Sequence, residues 1–461
     1  MNNQLLQSIR QVAIIAFVVI AFASCQKNID QMATVEQPDA ATSANKIHGH
    51  LQQTKTYSSD VVQKWINFDL RLLRTNASLN NYIMMQHFAY SSIALYESVV
   101  PGMPSYQTLS RQLNQMPSMP ATSPGFAYHW AASANATLAA MVRNFYPSIS
   151  AASKISTDSL EHALNAIYQE EVSAEIFQRS VEFGKSVAQK IFDWSNTDGS
   201  LTVHPSYVVP VGTGLWQPTP TGFLAPQNPF WGTNRPLIPG SVAASQLPPP
   251  VAYSTDPSSP FYLMVKQVYD ASLVLTNDQR AQATFWRDIP GGGTHAHWLS
   301  ILVQVLNMQG NSSMLDKAAL SYAKMGITQS DSRISCWDSK YTYSLLRPIT
   351  YIRSVMNQPT WTSFLTNPNH PEYPSAHSTF SSSASAVLTA EFGDNYHYTD
   401  HTFDFLGLPA RSYNSFNAAA NEAGLSRFYA GIHYLPSLTA GAIKGSRIAT
   451  YMDEKINFLK Y

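Results

Sequence analysis

The amino-acid sequence predicts an all-α fold, a helical bundle of one large domain broken by a single proline-rich excursion. Apolar residues return at the three-and-four spacing of a helix face along most of the chain, and no stretch shows a convincing period-two alternation. Between Pro205 and Pro260 stand 13 of the 28 prolines, a density at which neither a helix nor a central strand is expected to survive. With 461 residues, 44% of them hydrophobic and 13% charged, the chain can bury a sizeable core and carries too little charge for a disordered one. A formal net charge of +0 supplies no global field to collect nucleic acid or an anionic membrane, so any anion site must rest on local cations.

The first segment reads as an export signal. Arg10 precedes the apolar run Val12 to Ala23, which is too short to span a bilayer. The run ends Phe22-Ala23-Ser24-Cys25, which is similar to a bacterial lipoprotein cleavage site with Cys25 as the lipidated residue. An ordinary secretory signal with an incidental cysteine is the alternative. Residues 1–25 are thus assigned to the signal, 26–56 to a polar tether, and 57–461 to the helical domain. Within the domain, 57–204 are N-terminal helices, 205–260 the excursion and 261–461 the catalytic core. The expected location is the cell envelope, periplasmic or anchored to the outer membrane. Cys336 is the only other cysteine, so the mature chain has no intrachain disulfide, and Cys336 is given no role.

Trp65, Phe68, Leu72 and Leu73 open the helical pattern, and Tyr82 to Val99 continues it until Pro101-Gly102. Ala127 to Phe145 and Ser159 to Trp194 follow, closed by Thr197-Asp198-Gly199. In the excursion, Trp216, Phe223, Phe230 and Trp231 predict a segment that packs down onto the domain and covers a site or wraps a surface. Helical spacing resumes at Pro260 and runs, with breaks, to the C-terminus.

Three segments carry candidate chemistry. Lys340 and Arg347 are seven apart in Lys340-Tyr-Thr-Tyr-Ser-Leu-Leu-Arg347-Pro348, which on a continuous helix puts both cations on one face, converging on one anion. Two surface cations would show the same spacing. Pro374-Ser375-Ala376-His377 precedes Phe380, Ala384, Val387, Leu388 and Phe392 at helical spacing, then Gly393. Ser375 and the amides after it therefore sit at a helix N-terminus, where unpaired N–H groups favour an oxyanion, and His377 can move a proton. The plainer reading is a Ser N-cap beside a partly exposed His. In Ser426-Arg427-Phe-Tyr-Ala-Gly431-Ile432-His433, a helix running to Tyr429 breaks near Gly431, and Pro436 suits the first turn of the next. The break lets Arg427 and His433 converge, and a neutral imidazole there can bond to phosphorus or coordinate a metal. A core-lining Arg and His pair is the alternative.

Together, in this order and spacing, the three segments resemble the signature of the type 2 phosphatidic acid phosphatase superfamily, and within it the vanadium-dependent haloperoxidase family. The resemblance runs from about Thr284 to Ala449. It implies that Lys340, Arg347 and Arg427 neutralise the oxygens of vanadate or phosphate, with Ser375 and the amide of Ala376 binding the same oxygens. It implies His433 as the axial vanadium ligand, or as the nucleophile of a phosphatase, and His377 as the acid/base. Lys340 would polarise bound peroxide. Ala376 stands where the pattern usually has Gly, a mild change. Ser437 stands four after His433, where phosphatase members carry an Asp that orients the histidine; a hydroxyl cannot supply that charge, which favours the haloperoxidase branch.

Trp337 matches an active-site Trp of chloroperoxidases, and His370 resembles the His of bromo- and iodoperoxidases. Phe285-Trp286-Arg287-Asp288 resembles the segment carrying the Asp that pairs with the acid/base His, and a helix-end Asp is the alternative for Asp288. The implied activity is oxidation of bromide or iodide by hydrogen peroxide with vanadate as cofactor. Hydrolysis of phosphate esters through phosphohistidine is the alternative. His295-Ala296-His297, after Gly291-Gly292-Gly293, reads as a loop at the pocket mouth rather than a metal site, and His397 and His401 as surface residues.

Overall fold

The structure, a computed structural model, describes residues 52–76, 79, 81–289 and 292–460. The signal, Cys25 and all but the last few residues of the tether lie outside the described residues. From Gln52 onward the chain already packs: Thr54 Oγ1 donates to Val99 O at 2.7 Å, and Trp130 Nε1 to Gln52 O at 3.1 Å.

The N-terminal helices are α1 (Asp60–Thr75), α2 (Asn81–Val99), α3 (Trp130–Phe145), α4 (Ala151–Glu171) and α5 (Ala174–Ser195). The stretch read as one helix from Ser159 to Trp194 is two, because Ser173 restarts the chain as an N-cap, its side chain accepting from Ile176 N. In the excursion a four-residue helix, α6 (Ser241–Ala244), does form despite the prolines. The later elements are α7 (Pro260–Leu273), α8 (Asn277–Phe285), α9 (Thr294–Met308), α10 (Leu315–Tyr343), α11 (Pro348–Ser354), α12 (Ala376–Phe392), β1 (Tyr398–Asp400), β2 (Arg411–Tyr413), α13 (Phe416–Tyr429) and α14 (Leu435–Lys455). β1 and β2 pair antiparallel, Tyr398 opposite Tyr413, as a small addition to an all-α fold.

The 29-residue α10 is the axis of the molecule, buried on every face from Ala318 to Lys340 except at a few positions. That explains its lack of a clean amphipathic stripe. It packs on α2, on α12 and on α14. Asp331, fully buried on α10, accepts from Leu237 N (2.6 Å), Ile238 N (2.9 Å) and Ser241 Oγ (2.6 Å), so a single carboxylate pins the excursion to the core. Trp216 and Trp231 are buried as the aromatic content predicts and Phe230 is half-buried, but Phe223, expected to pack down with them, is exposed. Trp216 N donates to Ser344 O (2.7 Å) and Gln227 N to Asn369 O (2.8 Å), which lays the excursion over the chain between α10 and α12.

Asp69 of α1 is a liability of this packing. It is buried, its Oδ1 has no hydrogen-bond partner, and burial pushes its carboxyl up to about 8. Between the unfolded value near ~4 and about 8, the folded protein holds a proton that the unfolded chain releases. Stability contributed at this residue is therefore present below ~4 and lost as pH rises through about 8. Asp69→Asn is expected to raise stability at pH 8 by on the order of 3 kcal/mol and to leave it unchanged below pH ~4. Denaturant melts at the two pH values check this; a difference independent of pH would contradict it.

Candidate active site

Three breaks in the chain assemble one cluster. α10 ends at Tyr343, where Ser344 adopts a left-handed backbone (φ 45°), and Arg347 sits just before α11 with Pro348 in its first turn. Lys340 and Arg347 therefore do not share a helical face as the spacing predicted. Proline restrains the residue before it to extended backbone, and the helix stops short of it. The two cations still meet, because the chain between the helices folds Arg347 back toward the end of α10.

Arg347 is fully buried. Its Nη1 donates to Ile432 O (2.8 Å) and to His433 Nε2 (3.1 Å), and its Nη2 to His370 Nδ1 (3.0 Å). A guanidinium has no lone pair, so His433 Nε2 accepts from it, while His370 Nδ1 lies between Arg347 Nη2 and Pro371 O, 3.1 Å away. On its other side His433 Nδ1 lies 2.7 Å from Glu372 Oε1, and it is the N–H donor of that pair. His433 is thus one defined neutral tautomer with its lone pair on Nε2. Burial, with Arg347 and Lys340 nearby, holds its protonation well below the usual imidazole range.

Glu372 is the residue that sequence reasoning missed. Oε1 also accepts from Tyr434 N (3.0 Å), and Oε2 from Ser437 Oγ (2.6 Å). The carboxylate expected to be missing at position 437 is supplied instead from a loop 61 residues before His433, and Ser437 helps hold it. The reading of Ser437 as the loss of an orienting charge is therefore overturned. Burial pushes the Glu372 carboxyl up, with Arg347 the first of the groups pulling it back. The only legible signal was an acidic residue three before Ser375.

Lys340 is fully buried, and its Nζ donates to Pro371 O (2.9 Å), Glu372 O (3.0 Å) and Pro374 O (2.6 Å). Three acceptors match the three N–H bonds of an ammonium and favour the charged form, while burial lowers its pKa to about 7. Lys340 thus braces the 371–374 turn that carries Glu372, and neither it nor Arg347 nor Ser375 reaches the cavity lining.

Ser375 caps α12 as the sequence indicates, its Oγ accepting from Ser378 N at 3.3 Å. Ala376 and His377 occupy the first two positions of that helix, whose N–H groups have no intrahelical acceptor. α14 can lie this close because of Gly441: a Cβ there would stand 2.5 Å from Ser375 O. Gly431, at φ +77°, makes the break after α13, and Pro436 falls in the first turn of α14, both as expected.

His377 Nε2 donates to Trp286 O (2.9 Å) and lies 3.7 Å from Asp288 Oδ1. Burial, then Arg427, lowers its pKa to about 4, and Asp288 opposes them. Asp288 Oδ1 also accepts from Thr294 N (3.2 Å), joining the start of α9 to the His377 side chain. Arg427 is buried; Nε donates to Ser426 Oγ (3.1 Å) and Nη2 to Ala283 O (3.0 Å). Burial lowers its pKa only to about 10, so it remains a cation.

Asp288, Ala376, His377, Arg427 and His433 line one cavity of about 80 Å³. That is room for one four-oxygen anion or a few waters. Trp337 and His370 complete its wall, their rings 5.1 Å apart. The donor set suits a tetrahedral or trigonal oxyanion: an arginine, helix-start amides and one imidazole with a fixed lone pair. Vanadate, the cofactor that the resemblance implies, fits this set: the neutral His433 imidazole can coordinate a metal, and Arg427 and the helix-start amides can bind oxygens.

A family model for the second helical-bundle domain of VCPO matches residues 321–459. The crystal structure of the first bacterial vanadium-dependent iodoperoxidase superposes with TM-score 0.80 at 30% identity, covering 88% of this chain and 98% of that one. The chain belongs to the vanadium-dependent haloperoxidase family. Two bacterial vanadium-dependent chloroperoxidase structures, holo and apo, share the fold at TM-score 0.62 and 15% identity, over 82% of this chain and 92% and 94% of theirs. No curated protein sequence matches.

His295 and His297 correct the expectation of a loop. Both sit in the first turn of α9 and are buried. His297 Nε2 pairs with Asp400 Oδ2 at 2.6 Å, and its ring stacks on Trp286 at 4.2 Å, a structural role. His295 lines the cavity. His397 and His401 are exposed, as expected, and among the described residues no cluster of His, Cys, Asp or Glu could hold a metal ion.

Proposed function

We propose that this haloperoxidase oxidises iodide or bromide with hydrogen peroxide in a vanadate-dependent reaction. The observation that carries the reading is His433, its Nδ1–H fixed by Glu372 and its Nε2 lone pair presented among Arg347, Arg427 and the start of α12. The similarity to an iodoperoxidase at 30% identity supports the halide class. Bound vanadate would supply Lewis-acid polarisation of peroxide without changing oxidation state.

The chain's own groups do the rest. His433 Nε2 would hold the vanadium once Arg347 Nη1, which now occupies it, turns away. Arg427 and the N–H groups of Ala376 and His377 would bind and neutralise oxygens of the bound anion. His377, kept uncharged near neutral pH, takes and returns protons at Nδ1, because Nε2–H is held by Trp286 O. Asp288 favours its protonated form. Lys340 acts by holding the 371–374 turn and adding positive potential, and its reach to peroxide needs a shift from its three carbonyls. His370, its Nδ1 engaged by Arg347 and its ring against Trp337, favours the larger halides.

One observation favours a second reading. The Glu372–His433 pair is also what activates a phosphorylated histidine, so hydrolysis of phosphate esters is the competing activity. Assaying the purified protein with peroxide and iodide or bromide, with and without vanadate, beside a phosphate-ester assay separates the two. Vanadate-dependent halogenation without ester hydrolysis is expected; hydrolysis inhibited by vanadate would overturn the reading. The segment Phe22-Ala23-Ser24-Cys25, similar to a lipoprotein cleavage site, is proposed to anchor the enzyme in the cell envelope through Cys25; among the described residues no helix is long and apolar enough to cross a membrane.

A further inference from the structure

Halide oxidation makes hypohalous acid, a two-electron oxidant, inside a small cavity, and one wall of that cavity is itself oxidisable. Met85, on α2, lines the space of about 80 Å³ that His377, Arg427 and His433 also face. Its thioether is soft and polarisable, the side chain such an acid attacks most readily. Arg333, buried on α10, donates from Nη1 to Met85 Sδ at 3.2 Å. That contact fixes the sulfur and leaves its second lone pair for attack.

Two other methionines are placed differently. Met84, one residue earlier, is buried in the main hydrophobic core and does not line the cavity. Met308, at the end of α9, is 56% exposed. An oxidant arriving from solvent therefore meets Met308 first, whereas one formed in the cavity meets Met85 first. The step balances. Sulfur attacks the halogen and expels hydroxide; water then adds its oxygen to sulfur as halide leaves. The net change turns the thioether and hypohalous acid into sulfoxide, halide and one proton. Sulfur gives up two electrons and the halogen takes them. The new oxygen is a stronger acceptor than sulfur, and Arg333 Nη1 already stands beside it, so a charge-assisted hydrogen bond would hold it. It would also fill part of a space with room for little more than the anion itself.

We propose that Met85 is a self-oxidation site: hypohalous acid formed in the cavity converts it to the sulfoxide before escaping, and the modified side chain slows further turnover. This rests on the haloperoxidase reading above. A sulfoxide can be reduced back to the thioether, so the brake is reversible.

The test turns over the vanadate-loaded wild type with peroxide and bromide in excess N-acetylmethionine, which traps acid that reaches the solution. Fragmentation mass spectrometry then locates added oxygen. Met85 is expected to be oxidised ahead of Met308, with Met84 untouched. In unloaded protein treated with reagent hypobromous acid, the order of Met85 and Met308 is expected to reverse. Met85 unmodified after many turnovers, the same order in both treatments, or equal Met85 oxidation without bromide overturns the assignment. Met85→Leu, close in volume and without sulfur, reads the consequence. The wild-type rate is expected to fall several-fold as the sulfoxide accumulates, while the variant keeps its own initial rate. An equal decline in both overturns the brake. Turnover without modification of Met85 sinks this inference alone, whereas a wild type that oxidises no bromide removes the halide activity and this inference together.

Discussion

His433→Ala is expected to remove vanadate-dependent turnover, by at least ~10³-fold, and to leave only weak ionic retention of vanadate. The size follows from the site's construction. Arg427 and the helix-start amides are donors that can be lost in part, whereas His433 Nε2 is the lone pair that Glu372 fixes by holding Nδ1–H. The fold should survive. Glu372 keeps Tyr434 N and Ser437 Oγ as donors, and Arg347 keeps Ile432 O and the His370 segment. Equilibrium dialysis with vanadate beside the halide assay checks both halves. Undiminished turnover in the variant would remove His433 from the role.

The second large effect is expected at Glu372. Glu372→Gln keeps the shape and an acceptor oxygen but withdraws the charge that makes His433 a stronger base through Nδ1–H. Losing such a partner behind a metal-binding histidine weakens metal affinity typically 10–100-fold. One effect opposes this: without the carboxylate, the buried cations Lys340 and Arg347 attract an anion more strongly. The ligand effect should win, because it acts through a 2.7 Å contact to the coordinating ring. The double variant Glu372→Gln with Ser437→Asp is expected to recover part of the affinity, since Ser437 Oγ already lies 2.6 Å from the Glu372 carboxylate. Vanadate titration of the unloaded proteins reads both, and equal affinity for wild type and Glu372→Gln would show that the contact does not tune the histidine.

What could be read from the sequence, and what could not, divides along chain distance. Helix ends were legible where local chemistry sets them: Ser375 as N-cap, Gly393 as stop, Gly431 as break, Pro436 and Pro260 in first turns. The meeting of Arg427, His377 and His433 was legible because three separate segments resembled one signature. Lys340 and Arg347 were placed together for the wrong reason, since a helical spacing cannot show that Ser344 ends the helix with positive φ. Glu372 was not legible at all, and His295 was placed at the pocket but in a loop rather than on a helix. Their partners lie 61 residues away for Glu372 and 85 for His295 against Phe380, and nothing in local sequence reports such contacts. The excursion was foreseen to pack down, but its anchor, Asp331, sits inside a helix where no pattern marks it.

The central claim is that His433 presents an Nε2 lone pair to vanadate once Arg347 lets go. A crystal structure of the vanadate-loaded protein tests it directly. The expected map has density for the oxyanion continuous with His433 Nε2, the Nδ1–Glu372 contact retained, and Arg347 turned from the ring toward an oxygen. Vanadate held in the cavity with the Arg347–His433 contact still closed would contradict the account.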